Sequence, residues 1–308
     1  MTDQILICIG TKKGLFVAEG SKTRRRFELR GPIGQGVAVY SALIDNRATP
    51  RIFASSCNPF FGMKVLVSND LGKKFRETKS APAFPKDDGR ALANIWSMEA
   101  GDGKKELWCG VEPAALFHSD DLGNSWEMVP AISNHDHSRK WQPGNGGLCM
   151  HTIVRDGSRM HLGISTGGHY RSEVGVLRSD DSGQTWRSIA KGLPSDFGFP
   201  IVVHPHNPDV VYVVPLEPMT RTCPGGVPAV WRSENGGSSW KRLVKGLPKK
   251  DSYFTILRDA MTTDQCKSPA LYFGTTTGQL WIGRDGGEEW SCLFDSLPPI
   301  HCVKTAMV

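Results

Sequence analysis

The residues best suited to acid–base chemistry are two glutamates and one histidine. Glu112 and Glu217 each precede a proline and follow a strand-like run, and His151 begins another such run. Two carboxylates near one ligand can act as general acid and general base, and histidine can carry a proton at neutral pH. Alternatively, the two glutamates form structural salt bridges with Arg171 and Arg221. Glu112, Glu217 and His151 are therefore the catalytic candidates.

Other polar and aromatic residues occupy segments that enter or leave strand-like runs. A few polar groups among aromatic side chains are typical of ligand pockets. The candidate ligand-binding residues are Tyr40, Asn58, Trp96, His135, His137, Arg139, Trp141, His169, Arg171, Arg221, Tyr253 and His301.

Two histidine pairs could contribute to a metal site. His135 and His137 flank an aspartate in one long loop, and His151 and His301 each lie near the start of a strand-like run. A zinc site needs three or four protein ligands at suitable positions, and neither pair has a third ligand at a defined spacing. We predict no metal and no cofactor.

A motif that occurs five times indicates which elements position these candidates. It has the form Ser-x-Asp-x-Gly-x-x-Trp, with substitutions in some copies. Asp and Gly at these positions favour a tight hairpin turn, so the motif residues are expected to be structural rather than catalytic. A repeat of about 50 to 60 residues with strand-like sequence between copies is typical of a β-propeller. The copies begin at Ser68, Ser119, Ser179, Ser233 and Gly283.

Each repeat predicts four strands, with the motif joining the third to the fourth. The predicted innermost strands are Val39–Ile44, Ile95–Glu99, His151–Val154, Pro200–Val203 and Phe254–Leu257. The predicted second strands are Arg51–Ala54, Glu106–Gly110, Arg159–Ile164, Val210–Val214 and Ala270–Gly274. This alignment makes Ser41, Ser97, His151, Pro200, Phe254 and His301 equivalent.

The two ends of the chain predict one further blade. Ile5–Gly10, Leu15–Ala18 and Arg26–Leu29 are three strand-like runs, and His301–Ala306 is a fourth. Pairing them would remove exposed sheet edges. We predict an all-β, six-bladed β-propeller that forms one domain over residues 1–308, with residues 1–30 and 300–308 sharing the closing blade. Seven blades is the alternative, but Pro130–Gly147, where a further blade would have to lie, predicts a loop.

Charge and cysteine usage restrict the classes of partner and compartment. The net charge is +6, and the only tight basic run, Arg24–Arg26, predicts a solvated outer strand. The sequence contains no basic stripe with interleaved aromatic residues, so it does not predict nucleic-acid binding. The N-terminus lacks the features of a signal peptide, and no segment predicts a membrane span. Eight scattered cysteines favour reduced thiols in the cytoplasm.

The motif resembles the Asp-box, or BNR repeat, of sialidases, sortilin-type receptors and plant photosystem assembly factors. Sialidases use three arginines, a tyrosine–glutamate pair and an aspartate. The early arginine motif is not matched by Arg30–Ile33, and this catalytic set cannot be assigned residue by residue. Gly110–Phe117 and Gly192–Pro200 resemble bacterial BNR-repeat proteins generically labelled glycosyl hydrolases, exo-sialidase-like proteins or WD40/YVTN/BNR-like repeat proteins.

Two functions follow as alternatives. The first is a small-molecule or glycan pocket on the face opposite the motif turns, with hydrolase or lyase activity at Glu112, Glu217 and His151. The second is a non-catalytic platform for a protein partner, with Phe60, Phe61 and Trp141 exposed and no convergent carboxylates.

Overall fold

The protein was analysed as a computed structural model that describes residues 4–133, 138, 141–143, 147–156, 159–165, 176–180, 185 and 187–308. Antiparallel β-strands dominate these residues, and five of the sheets have four strands each. The chain divides into two compact units. Unit 1 is Met1–Ile9, Ala18–Glu28 and Glu173–Val308, and unit 2 is Gly10–Val17 and Leu29–Ser172.

The first half of the chain supplies the strands of three sheets and one short helix. These strands are β1 (Gln4–Thr11), β2 (Gly14–Ser21), β3 (Phe27–Ile33), β4 (Ala42–Asp45), β5 (Arg51–Asn58), β6 (Gly62–Ser68), β7 (Arg76–Glu77), β8 (Asn94–Ala100), β9 (Leu107–Glu112), β10 (Ala115–Ser119) and β11 (Glu127–Met128). The helix is α1 (Pro130–Ser133), which lies inside the segment predicted to be a loop.

The second half continues the same pattern. Its strands are β12 (Met150–Asp156), β13 (Arg159–Ile164), β14 (Leu177–Arg178), β15 (Arg187–Ser188), β16 (Ile201–His204), β17 (Asn207–Val213), β18 (Val230–Ser233), β19 (Lys241–Leu243), β20 (Met261–Thr263), β21 (Leu271–Gly274), β22 (Leu280–Arg284), β23 (Glu289–Phe294) and β24 (Ile300–Met307).

Consecutive strands form the sheets, with one exception at the chain ends. The sheets β4–β7, β8–β11, β16–β19 and β20–β23 each follow chain order, whereas β12 pairs with β13 and β14 with β15. The remaining sheet has the order β24-β1-β2-β3, so the last strand lies beside the first. Seven consecutive residues of β1, from Ile5 onward, are buried, as expected for a strand covered on both faces.

One predicted innermost strand is wrong. Phe254–Leu257 forms no strand, and the sheet begins instead at β20. Phe254 and Ile256 are buried in an apolar cluster, which gives the segment the alternation of a strand. Its backbone is paired differently, because the Phe254 carbonyl accepts a bond from the Cys223 amide and the Thr255 carbonyl one from the Thr276 amide. The predicted second strands overlap β5, β9, β13, β17 and β21.

The repeat motif forms a hydrogen-bonded turn between the third and fourth strands. Ser68 Oγ donates to Asp70 Oδ1 (2.8 Å) and accepts a bond from the Gly72 amide (2.8 Å). Asp70 Oδ1 also accepts a bond from the Lys74 amide (2.9 Å). The copies that begin at Ser119 and Ser233 repeat all three bonds. The motif side chains in these copies are therefore occupied by the turn itself.

A buried ion pair links the β2–β3 turn to the β20–β21 turn, within unit 1. Arg24 donates to both oxygens of Asp264 (2.7 Å each), and Tyr272 Oη donates to Asp264 Oδ2 (2.9 Å). Asp264 and Tyr272 are completely buried. Burial opposes the charge on Arg24, but the hydrogen bond and charge of Asp264 prevail and raise the pKa of its guanidinium. The solvated basic run predicted from the sequence is thus wrong for Arg24.

Replacing Arg24 by alanine should destabilise the protein by about 3–5 kcal/mol, because it leaves the Asp264 carboxylate buried without its partner. Urea unfolding measures this change. Arg25→Ala is the matched control, since Arg25 is exposed and its loss should change stability by less than about 0.5 kcal/mol. Equal stabilities for the two variants would contradict the role of the ion pair.

The stability of the protein at acidic pH should also depend on Asp45. Burial raises the pKa of Asp45, but hydrogen bonds from Arg47 outweigh it, so this pKa lies below its usual range. A depressed pKa stabilises the folded state above the unfolded-state value of about 3.9, and this contribution is lost as the pH falls through the folded-state pKa. The difference in unfolding free energy between wild type and Asp45→Asn should be constant near neutral pH and shrink below about pH 4. A pH-independent difference would contradict this.

Candidate functional site

Each four-stranded sheet that carries a motif has two different ends. The motif turn joins the third and fourth strands at one end. The connection from the second strand to the third, and the segment that leaves the fourth strand, lie at the other end, which we call the loop end. Asn58, Glu112 and Glu217 lie at or just beyond the second strands of their sheets, so they are at loop ends.

Irregularities in the innermost strands redirect individual side chains. Trp96 is an extra residue where the register of β8 against β9 shifts, and His151 is the corresponding residue of β12 against β13. Such bulges are frequent near functional sites because they re-aim a side chain. The structure therefore corrects the alignment made from the sequence, in which His151 was equivalent to Ser97; it is equivalent to Trp96.

Three candidates from separate parts of the sequence meet in unit 2. The Trp96 indole Nε1 donates to Glu112 Oε2 (2.8 Å). The rings of Tyr40 and Trp96 lie 4.8 Å apart between centroids, inclined at 45°. Asn94 is the cross-strand partner of Glu112. All four residues are half-buried, and we call this group the Trp96 cluster.

The surroundings of the Trp96 cluster favour the neutral form of the Tyr40 phenol. They also place the Glu112 carboxylate beside the backbone at Gly147. Burial, the Cys57 thiol and the Glu112 carboxylate raise the pKa of Tyr40, against a hydrogen bond with Asn94 that lowers it. A Cβ atom at Gly147, whose φ is +82°, would collide with Glu112 Oε1. A glycine is therefore required where the backbone passes this carboxylate.

The Trp96 cluster offers both stacking faces and hydrogen-bonding groups. Glu112 Oε1 accepts no hydrogen bond from any residue that the structure describes. The inclined rings of Tyr40 and Trp96 supply large apolar surfaces beside it. Aromatic walls with one carboxylate are suited to a ligand that has hydroxyl groups and an apolar face.

The second acidic candidate has a different environment. Glu217 is exposed in unit 1, within a tight turn in which its carbonyl oxygen accepts a bond from the Arg221 amide (2.7 Å). Arg221, also exposed, has the left-handed φ of +57°. Among the described residues, no ion pair joins these two side chains, so the alternative salt bridge between them is not formed. A pocket shared by Glu112, Glu217 and His151 stays a prediction.

The remaining described candidates have mainly local contacts. Asn58 Oδ1 accepts bonds from the amides of Phe60 and Phe61, so it shapes the β5–β6 turn. Trp141 is half-buried against an apolar cluster, and the prediction that it is exposed on a binding platform is wrong because this packing covers it. Tyr253 is 60% exposed.

Both histidines predicted near the axis are half-buried. His151 Nδ1 lies 2.8 Å from Thr152 Oγ1, and His301 is the second residue of β24. The other candidates, His135, His137, Arg139, His169 and Arg171, lie outside the described residues.

A pocket in unit 1 was not predicted from the sequence. It has a volume of about 180 Å³ and lies at the loop end of the β16–β19 sheet. We call it the Trp231 pocket, and its walls include Pro194, Pro215, Pro224, Val227, Trp231 and Arg242. The three prolines come from two connections, Pro194 from the one before β16 and Pro215 and Pro224 from the one between β17 and β18, so their proximity is a tertiary feature. The signal in the sequence is the pairing of Trp231 with Arg242 on adjacent strands, which could have been found by aligning the hairpins.

Two absences apply to the described residues alone. Within the ranges given above, no three His, Cys, Asp or Glu side chains are grouped as a metal ion would require. In the same part of the chain, no helix has the length and apolar character needed to cross a membrane. All eight cysteines are described and are free thiols, six of them buried.

Comparisons with known proteins identify the fold. No family model and no curated protein matches this sequence. The chain is similar to YCF48 bound to D1 peptide (14% identity, 94% of this chain, 82% of that one, TM-score 0.42) and to YCF48 from Cyanidioschyzon merolae (12%, 96%, 87%, 0.39). It is also similar to the tricorn protease (12%, 97%, TM-score 0.51), of whose length it spans 27%. Of these three likenesses, that to the tricorn protease exceeds 0.5, and it shows that the chain has a β-propeller fold.

Proposed function

We propose that this chain is an Asp-box β-propeller of the sialidase-like superfamily that binds a small polar ligand of the glycan class at the Trp96 cluster. The observation that carries the proposal is the convergence of Tyr40, Trp96 and Glu112 from separate parts of the sequence. Each is expected at a loop end, and together they provide two aromatic faces and a carboxylate oxygen that no described residue occupies. A sugar ring has the matching combination of an apolar face and hydroxyl donors.

The propeller in this proposal has six blades and is closed by the chain ends. Five blades correspond to the four-stranded sheets, and β12–β15 together would make the sixth. The pairing of β24 with β1 supports closure of the ring, because it leaves β1 between two strands rather than at an edge. We place the protein in the cytoplasm, consistent with its free thiols.

Catalysis would require more acid/base groups than the Trp96 cluster itself contains. Hydrolase or lyase chemistry would use Glu112 as one acid/base group, with Glu217 and His151 as the others. In the Trp96 cluster, Glu112 is the single carboxylate among the described residues. Two carboxylates are the usual requirement for glycoside hydrolysis, so binding is the function that the cluster itself supports.

Glu112→Gln should weaken glycan binding roughly tenfold or more, because a hydrogen bond to a charged group contributes about 1.5–3 kcal/mol. The measurement is a glycan-array screen that includes acidic and neutral oligosaccharides, followed by calorimetric titration of the ligands found. Trp96→Phe should also weaken binding. Phenylalanine keeps an aromatic face but lacks the indole N–H that donates to Glu112.

The matched control uses a second tryptophan–glutamate pair in the same sheet. Trp108 Nε1 donates to Glu106 Oε1 (3.1 Å) at the other end of β9. Glu106→Gln therefore makes the same chemical change away from the proposed site and should leave the affinity unchanged. A screen in which no glycan binds, or equal affinities for Glu112→Gln and the wild type, would show that the proposal is wrong.

Binding of a protein partner is a second candidate, supported by exposed apolar side chains at loop ends. Phe60 is 90% exposed, Phe61 79% and Met219 94%. Large apolar side chains with such exposure often mark interaction sites. Phe60 and Phe61 form the tip of the β5–β6 turn, whose shape is fixed by Asn58. The tip is therefore presented in a defined conformation rather than collapsed onto the sheet.

A photo-crosslinking amino acid at position 61 should capture a discrete partner in cells, whereas the same amino acid at position 74, in a motif turn, should not. Mass spectrometry identifies the adducts, and the partner is then titrated against Phe60→Ser. Lys74 is an exposed residue of the first motif copy and so serves as the control. Equal labelling at both positions, or unchanged affinity of Phe60→Ser, would exclude this tip as a binding site.

A further inference from the structure

We infer that the Trp231 pocket binds an apolar side chain of an acidic peptide segment from a partner protein, with Arg242 pairing with a carboxylate of that segment. The pocket lies within unit 1, whereas the Trp96 cluster lies within unit 2. This inference is therefore independent of the glycan proposal. It concerns a site that the repeat motif does not create.

Arg242 is a cation next to an aromatic residue, and none of the described residues is its partner. It is exposed and makes no ion pair or hydrogen bond with any described residue. Trp231 is directly opposite Arg242 in the β18–β19 ladder, so both side chains project from the same face of the sheet. The neighbouring cations are occupied, since Arg232 and Lys241 both contact Glu288. Arg242 is thus the group at the pocket that is available to an anionic ligand.

Most of the residues that line the Trp231 pocket are apolar. Pro194, Pro215 and Pro224 have no backbone N–H, and Val227 adds another apolar surface. An apolar side chain that enters the pocket would lose part of its contact with water and gain packing against rigid rings.

The loop that forms the pocket is held in place before any ligand binds. The Leu216 amide donates to the Phe197 carbonyl oxygen (2.7 Å), and the Val227 amide to that of Pro224 (3.1 Å). Next to them, a Cβ atom at Gly226 would lie 2.8 Å from the Tyr253 ring, so this ring packs directly on the glycine. A preformed site reduces the ordering cost of binding.

The size of the pocket favours one side chain over a larger molecule. Sites for small molecules usually have about 300–1,000 Å³, whereas a cavity of about 150 Å³ accommodates benzene. The Trp231 pocket, at about 180 Å³, therefore suits a single aromatic or aliphatic side chain. A peptide can supply this anchor together with a neighbouring carboxylate.

The charge around the pocket favours an acidic segment. The stretch that begins with β19 contains five basic residues within ten positions, of which Lys241, Lys245 and Lys250 pair with Glu288, Glu289 and Asp251. Lys249 is exposed and, like Arg242, has no ion pair with any described residue. The protein as a whole carries a net charge of +6. This complementarity would attract an acidic peptide and repel a basic one.

Selection from a phage-displayed random peptide library tests the inference. We expect enrichment of sequences in which Leu, Phe or Trp is flanked by Asp or Glu. Arg242→Glu should weaken the binding of a selected peptide roughly tenfold or more, measured by calorimetric titration. Arg76→Glu is the control, because it reverses an exposed arginine on the fourth strand of another sheet, and should change affinity by less than about twofold.

A second variant tests the pocket without changing its charge. Val227→Phe fills the cavity and should abolish binding, and thermal unfolding of each variant verifies that it remains folded. The inference is overturned if no peptide is enriched, or if the selected peptides bind Arg242→Glu and Val227→Phe as tightly as the wild type. It is equally overturned if N-acetylphenylalanine binds the pocket while no peptide does.

Discussion

The pairing of the last strand with the first is the constraint on which the rest of this structure depends. Strand β1 is almost entirely apolar and buried, and without β24 its backbone groups would form an exposed sheet edge. The partner for β1 comes from the far end of the chain, so this sheet requires contacts of very long sequence separation. Such pairing carries a large entropic cost and must be offset by burial, which the apolar residues of β1 and β24 provide.

The turns at one end of the sheets leave the loops at the other end free for function. In the motif, Ser and Asp side chains bond to the backbone amides of the turn, so these repeated polar groups serve the turn itself. The residues that differ between repeats lie at the loop ends. Trp96 and Glu112 in one sheet and Trp231 and Arg242 in another are examples, and they are the groups that have capacity for binding.

The sequence predicts the repeating elements well because they depend on local chemistry. The turn motif and the alternation of the second strands are examples. Three features depend instead on tertiary contacts. Phe254 and Ile256 alternate in the sequence like the buried residues of a strand, because they pack into a core from an irregular segment. The sequence predicts that Arg24 is solvated, because its ion-pair partner Asp264 is far along the chain. The Trp231 pocket requires prolines from different loops, and no periodic pattern encodes that arrangement.

Amide hydrogen exchange of β1 in the intact protein tests the central claim most directly. If β24 covers β1, the amides of Ile5–Ile9 should exchange only through global unfolding, with protection that matches the unfolding free energy from denaturant titration. Rapid exchange of these amides, at rates typical of a frayed edge strand, would contradict the pairing. It would also contradict the closed six-bladed ring that we propose.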